Sequence, residues 1–305
     1  MINFTFIIPH YDIPDLLLRC LKSIPERNDS EIIIVDDNSP NADSYLDLYP
    51  LLRRPDISFI RTYERKGAGA ARNIGLTHSR GKWILFADAD DLFVEDINSI
   101  LDEVLPRSED ILYFRKKTVF SDNIELISSR ATWLDKIYDS YFKYGDEMRV
   151  RCLHYAPWGK IIKKKLIVDH NILFDEIPYS NDVIFSVKAG LAANRVAIND
   201  KVLYICTQRK GSLTDSFCQK PGELEMRCGV LFRAQSLLSE NNLRLIQPQI
   251  PQMLTKMLLN NRKLFLHFFS RVSEIGLSKW TITYQILLVL FGKILGKFVY
   301  RFKHL

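Results

Sequence analysis

The run Ile32-Ile33-Ile34-Val35 is four consecutive β-branched residues that stop abruptly at Asp36-Asp37-Asn38-Ser39-Pro40. Successive side chains of a strand point to opposite faces, so an unbroken apolar run has to be covered on both. That is the condition of an inner strand in a parallel sheet with helices above and below. The flanking sequence repeats the arrangement: Phe4 to Ile8, Asp56 to Arg61 and Trp83 to Phe86 read as further strands. Between them, Leu17, Cys20, Leu21 and Ile24 share one helical face, with Pro14 in the first turn and Asp12 or Asp15 as cap. Lys66-Gly67-Ala68-Gly69 opens a second helix through Ala70, Ala71, Ile74 and His78. Strand–helix alternation up to about residue 105 predicts an α/β fold with a mostly parallel central sheet.

Polar, acidic or glycine-bearing residues follow the carboxyl ends of these strands, where open α/β sheets bind ligands. Tyr11, Asp37, Gly67 and Asp90 are therefore expected to face one cleft. The most acidic of these turns is Phe86-Ala-Asp-Ala-Asp-Asp-Leu-Phe93, which carries Asp88, Asp90 and Asp91. Adjacent carboxylates repel and raise one another's pKa, and a divalent cation with hard oxygen ligands relieves that repulsion. The alternative is an Asp-rich turn capping a helix from about Glu95 to Leu105.

Beyond Glu109 the pattern changes to a strand at Ile111–Phe114 and an irregular region rich in Tyr, Trp and Lys. A helix with Ile184, Val187 and Leu191 on one face starts near Asp182, and Val196–Ile198 with Val202–Cys206 reads as a closing hairpin. From residue 211 the chain reads as helical, with helices at Glu223–Leu238 and about Pro251–Phe269 and a last one from Trp280. The charge-free stretch Trp280–Gly292 is shorter than the about 20 apolar residues of a membrane span. From Arg271 onward, Arg271, Lys279, Lys293, Lys297, Arg301 and Lys303 face a single acid, Glu274, and supply most of the net charge of +6. That composition points to an amphipathic helix over 280–303 at a membrane surface, the alternatives being packing on the first domain or self-association into a homo-oligomer. With 47% apolar and 26% charged residues the chain is globular rather than disordered. Its five scattered cysteines lack metal-site spacing and imply free thiols in a reducing compartment. The N-terminal Met-Ile-Asn-Phe-Thr-Phe-Ile-Ile-Pro reads as a strand, without the basic start of a signal peptide.

Taken in order, Ile-Ile-Pro-His-Tyr-Asp, Ile-Val-Asp-Asp-Asn-Ser, Gly-Ala-Gly-Ala-Ala-Arg-Asn-Ile-Gly-Leu, Phe-Ala-Asp-Ala-Asp-Asp, Trp-Gly-Lys-Ile and Asn-Asp-Val-Ile-Phe resemble the inverting GT-A glycosyltransferases of the large bacterial family two, over roughly residues 3 to 207. The resemblance implies a GT-A fold, Rossmann-like and nucleotide-binding, over 1–210 with a helical C-terminal region over 211–305. It implies that Pro9, His10, Tyr11 and Asp12 lie under the base and ribose, Asp12 standing where the family usually has Asn. Asp37 would accept from the uracil imide of a uridine nucleotide. Gly67 and Gly69 would let the backbone approach the ligand, and Arg72 and Asn73 would contact base or diphosphate. Asp88-Ala89-Asp90 would form the metal motif, with Asp90 on Mg²⁺ or Mn²⁺, Asp88 nearer the ribose or a metal-bound water, and Asp91 behind them. Asp182, after Asn181 and at a helix start that favours an ionised carboxylate, would be the catalytic base. Trp158, Lys160 and Asn181 would shape the acceptor or sugar pocket.

The implied activity is metal-assisted, inverting sugar transfer from a nucleotide-sugar, a UDP-sugar foremost, to a glycan or lipid-linked acceptor in cell-surface polysaccharide synthesis. It would take place in the cytoplasm, peripheral at the inner membrane face, with no nucleic acid as partner. Two other readings are a sugar nucleotidyltransferase and an inactive membrane-associated nucleotide-binding subunit. The first would want a glycine-rich phosphate loop where this chain has Pro9-His10-Tyr11, and the second leaves Asp90 and Asp182 without a purpose.

Overall fold

The apolar alternation becomes β1 (Phe4–His10), α1 (Pro14–Lys22), β2 (Ser30–Asp36), β3 (Ile57–Arg61), α2 (Ala68–His78), β4 (Trp83–Phe86), β5 (Leu92–Phe93) and α3 (Ile97–Val104) in a computed structural model. It describes residues 1–43, 45, 49–130, 132–209, 222–243 and 249–302, with side chains to residue 292. Next come β6 (Ile111–Phe120), α4 (Thr132–Tyr144), α5 (Glu147–Leu153), β7 (Lys160–Lys163), α6 (Lys164–Asp169), α7 (Val183–Ala192) and β8 (Val196–Gln208). The chain divides into two units, Met1–Asp215 and Ser216–Leu305. The expected boundary at 210/211 lies outside the described residues.

All eight strands form one sheet in the order β3-β2-β1-β4-β7-β6-β8-β5. The pairs β1–β2, β1–β4, β2–β3 and β6–β8 are parallel, whereas β4–β7, β6–β7 and β5–β8 are antiparallel. As the unbroken Ile32–Val35 run requires, β2 is an inner strand buried at every position. The order reverses direction between β1 and β4. Pairing there ends at Ile7–Phe86, so Pro9, which has no N–H to give, sits beyond the last β4 partner. Such a switch point is where α/β sheets form the crevice that receives ligands. It is flanked by His10-Tyr11-Asp12 on one side and the acidic turn on the other.

Three local readings change. Neither Asp12 nor Asp15 caps α1: the N-cap is Ile13, without a side-chain bond. Asp12 is in the left-handed region (φ 50), and its Oδ1 accepts from Tyr45 Oη at 3.3 Å instead. The expected hairpin at 196–206 is the single strand β8, because β6 runs on to Phe120 and partners it on both sides of residues 199–201. The polar triplet Asn199-Asp200-Lys201 forms a bulge at the register shift opposite Tyr113–Arg115, not a turn. The helix expected over 251–269 is two, α9 (Gln249–Asn260) and α10 (Arg262–Ser270), following α8 (Glu223–Glu240). Asn261 divides them by leaving helical geometry and accepting the Leu264 N–H at 3.0 Å as an N-cap.

Within the C-terminal unit, Phe232 of α8 meets Phe268 of α10 edge-on at 5.1 Å. Ser239 Oγ donates to Ile275 O at 2.7 Å. Gly276 (φ +74) is needed there, since a Cβ would lie 2.5 Å from that hydroxyl oxygen. The last helix is α11 (Lys279–Phe302). Among the described residues no helix is long and apolar enough to cross a membrane. Lys303 and Cys218 lie outside the described residues, and the other four cysteines are buried free thiols.

Candidate functional site

The crevice is built from side chains that first hold one another. His10 Nδ1 donates to Asp36 Oδ1 at 2.9 Å, and its Nε2 accepts the Ile13 N–H at 3.2 Å, so the ring proton sits on Nδ1. Asp36 also accepts from Ser39 N at 2.8 Å and Ser39 Oγ at 2.5 Å. Burial alone would push this carboxyl up, but the His10 and Ser39 hydrogen bonds outweigh it and hold it below the ordinary carboxylate range. Ser39 Oγ in turn accepts the Asp12 N–H at 2.8 Å, locking the first two loops together. Tyr11 carries the Arg65 guanidinium over its ring at 3.7 Å, leaving a flat cationic surface at the rim.

Asp37 was expected to read the base. In the structure its two oxygens accept the Lys66 and Gly67 N–H groups, each at 2.9 Å, so it holds the glycine turn before α2. Any contact it makes with a ligand comes from a carboxylate already fixed by two donors. Gly67 is the positive-φ residue of that turn (φ +87). Gly69 serves the protein's own packing, since a Cβ there would lie 2.1 Å from Asp175 O. Asn73 donates to Phe174 O at 3.0 Å and accepts the Phe174 N–H at 2.9 Å, which spends its amide on the 174–181 loop.

Arg72 joins the two halves of the site. Its Nη2 donates to Asp88 Oδ1 at 2.6 Å and its Nη1 to Asn181 Oδ1 at 3.0 Å, placing the acidic turn and the segment before α7 on one buried guanidinium. Such a charge-assisted fork fixes both angle and distance. The acidic turn is held from β8 as well: Tyr204 Oη accepts the Asp88 N–H at 2.8 Å, and Thr207 Oγ1 donates to Asp90 O at 2.8 Å. Arg19 Nη2 also donates to Asp90 O at 2.7 Å. Arg209 Nε donates to Asp90 Oδ2 at 2.9 Å.

The three acids have unequal environments. Asp91 is fully buried, accepts the Thr207 N–H at 2.6 Å through Oδ1, and leaves Oδ2 unpartnered. Burial, reinforced by Asp90 and Asp88, raises its pKa well above the ordinary range, so it is a latch to β8 rather than a ligand. Asp88 and Asp90 remain partly open to solvent, and each has its second oxygen without a hydrogen bond among the described residues. Ala89 between them is buried.

Asp182 is the N-cap residue of α7, yet its side chain makes no capping bond. Burial raises its pKa, opposed by Arg72 and helped by Asp88. Trp158 and Lys160 do not line an open pocket. Trp158 stacks on Tyr204 at 5.2 Å, and Lys160 is buried with Nζ donating to His154 O at 2.6 Å and Ser186 Oγ at 2.9 Å. A buried ammonium must find acceptors, and these tie β7 to the first turn of α7, behind Asp182. Burial lowers the Lys160 pKa to about 7, partly restored by Asp182. Tyr204, Thr207 and Arg209 went unnoticed in the sequence because only β8 pairing brings them to residues over a hundred positions earlier.

His154 is buried beside this cluster. Tyr138 Oη gives its proton to Phe114 O at 2.8 Å and so accepts from His154 Nδ1 at 3.1 Å, leaving Nε2 a bare lone pair. Burial, with Lys160 and Lys116 adding to it, holds the His154 pKa well below its usual value. Below about pH 6.5 the unfolded chain therefore binds a proton that the folded one refuses. Stability from this residue is complete above that pH and falls as pH is lowered. Thermal melts from pH 7 to 5 are expected to drop more steeply for wild type than for His154→Phe, by up to ~1.4 kcal/mol per pH unit. Parallel slopes would remove His154 from the acid response.

A cavity of about 490 Å³ lined by Gly81, Lys82, Lys163, Lys164, Lys165, Val168 and Asp169 lies at the opposite end of β4. Three of its lysines are committed, Lys163 and Lys164 to the carbonyls of Ser108 and Ser79 and Lys165 to Asp169 at 2.7 Å. It is separate from the crevice.

The poly(ribitol-phosphate) β-N-acetylglucosaminyltransferase TarS of Staphylococcus aureus is 26% identical over 234 residues, covering 72% of this chain and 38% of TarS. The chain thus spans well under half the length of that relative. The crystal structure of S. aureus TarS 1–349 in complex with UDP-GlcNAc superposes with a TM-score of 0.61 at 23% identity, covering 84% of this chain and 72% of that one. The mannosyltransferase PcManGT of Pyrobaculum calidifontis, solved with GDP-Man and Mn²⁺, gives 0.53 at 15% identity over 96% of this chain and 80% of that one. These likenesses show the GT-A fold. The family model for glycosyl transferase family 2 matches residues 5–166, more than half of the chain, and the protein belongs to that family.

Proposed function

We propose that this chain moves a sugar from a nucleotide-sugar, a UDP-sugar foremost, to a hydroxyl of a glycan or lipid-linked acceptor in cell-surface polysaccharide synthesis, inverting the anomeric centre. The observation that carries the reading is the Asp182 carboxylate at the α7 N-terminus, which caps nothing and directly follows Asn181, the residue that Arg72 ties to Asp88. TarS, named for such a transfer and solved with UDP-GlcNAc, supports the donor and the pathway class.

Residues 1–210 carry the chemistry. Pro9, His10, Tyr11 and Asp12 with the Asp37-held turn form the nucleotide side of the crevice, and Arg72 and Arg209 face its acidic turn. Asp182 accepts the acceptor hydroxyl proton as that oxygen attacks the anomeric carbon. The C–O bond to the diphosphate breaks, and its electron pair leaves with the diphosphate. One direct displacement needs no covalent nucleophile.

Asp90 and Asp88 fit a divalent cation such as Mg²⁺ or Mn²⁺: both offer a hard oxygen that no described residue occupies. No group of three or more ligating side chains exists among the described residues. That suits an ion bound through one or two carboxylates and completed by phosphate oxygens and water. When bound, it neutralises charge on the departing diphosphate. We infer that residues 280–303 meet a membrane surface and hold the enzyme peripherally at the inner face.

Thermal melts with UDP-, GDP-, CMP- and dTDP-sugars, each with and without Mg²⁺ or Mn²⁺, test the donor. The largest upward shift is expected with a UDP-sugar plus metal. No shift with any of them would sink the assignment.

A further inference from the structure

In α11 the side chains of Ile282 and Ile286 are buried, while Trp280, Tyr284, Leu287, Leu288 and Phe291 are 86, 63, 46, 52 and 58% exposed. Their spacing of i, i+4, i+7, i+8 and i+11 places the exposed five on one stripe of the helix, roughly 16 Å long. A water-facing helix surface of this size is ordinarily polar, and here it is the most apolar part. Two aromatic residues with polar edges, Trp280 and Tyr284, lead the stripe, and such side chains favour the level of lipid headgroups. The surrounding sequence is basic throughout: after Glu274 no acid occurs, while Lys279, Lys293, Lys297, Arg301 and Lys303 do. No helix among the described residues is long and apolar enough to cross a bilayer, so the surface available to α11 is the interface itself.

We propose that α11 lies in the plane of an anionic bilayer, with the Trp280–Phe291 stripe at the headgroup–acyl boundary and the acid-free, basic sequence after Glu274 drawn to its negative charge. Charge decides between the two occupants of such a stripe. The net positive charge of the sequence from Gly276 onward would repel a second copy of itself, whereas an anionic lipid surface attracts it. The assignment rests on the reading of a membrane-presented acceptor and names the surface that would deliver the crevice to it.

The test uses the full chain in co-sedimentation with vesicles of phosphatidylcholine alone and of three parts phosphatidylcholine to one part phosphatidylglycerol. The same is done for Tyr284→Ser/Leu287→Ser/Phe291→Ser, whose changed side chains are solvent-exposed and whose fold is checked by its melting curve. The expected result is at least tenfold more binding to the anionic vesicles, reversed by high salt, and at least a tenfold loss in the triple variant. Wild type left in the supernatant with both vesicles would overturn the proposal. Equal sedimentation of wild type and variant would overturn the stripe while leaving membrane association in place. A concentration-dependent dimer that the variant abolishes, with no vesicle binding, would assign the stripe to a second copy instead. Nucleoside diphosphate binding measured on the same samples separates these failures from failure of the transferase reading.

Discussion

Asp182→Asn is expected to lower sugar transfer by roughly 10³-fold, within the range a positioned general base contributes. The amide keeps the size of the side chain and loses its proton affinity. Folding should be little changed, because the wild-type carboxylate caps nothing and α7 does not depend on it. Nucleoside diphosphate affinity should also survive, since the nucleotide side of the crevice is held by Asp36, Asp37 and Ser39. Burial raises the Asp182 pKa, with Asp88 adding to it and Arg72 opposing, so wild-type transfer should rise with pH along an ionisation above the ordinary carboxylate range. Near-wild-type turnover by the variant on an identified acceptor would remove Asp182 from this role.

Asp90→Ala should produce an effect whose sign depends on metal. In wild type, Arg209 Nε is neutralised by Asp90 Oδ2 at 2.9 Å. Removing the carboxylate deletes a hard oxygen donor and also releases the Arg209 guanidinium, which could then pair with a diphosphate bound as proposed. With EDTA, the variant is therefore expected to bind UDP as well as wild type or better. With Mg²⁺ or Mn²⁺, wild type should gain at least about tenfold, or about 1.4 kcal/mol, and the variant should gain little. Calorimetry in both buffers reads the difference. An equal metal increment in the two proteins would take Asp90 out of the metal site, and no increment in either would remove the metal.

The glycine turn shows how a motif can be legible while its physical purpose is not. Gly67 and Gly69 stand out in the sequence as residues that permit close approach. Gly67 does take a positive φ, but what approaches Gly69 is Asp175 O of the chain itself. Asn73 follows the same pattern, its amide being consumed by Phe174. Residue type and spacing reveal that a position is constrained. They do not reveal whether a ligand or the protein imposes the constraint.

The sequence by itself determined the order of β1, α1, β2, β3, α2 and β4 and the inner position of β2, though not the short strand β5. It also marked the strand ends as the place where Asp88, Asp90 and the first two loops collect. Those features follow from local periodicity: an unbroken apolar run needs two covered faces, and a chain leaving a sheet edge must turn in polar residues. Only the tertiary structure divided the acidic turn into a partly open pair, Asp88 and Asp90, and a buried latch, Asp91. It alone joined Asp88 to Asn181 through Arg72 and set Arg209 against Asp90. It also turned the expected hairpin into β8, whose Tyr204 and Thr207 fix the turn from over a hundred residues away. The reason is that burial and pairing depend on which distant segment arrives at a strand end, and periodicity carries no information about that.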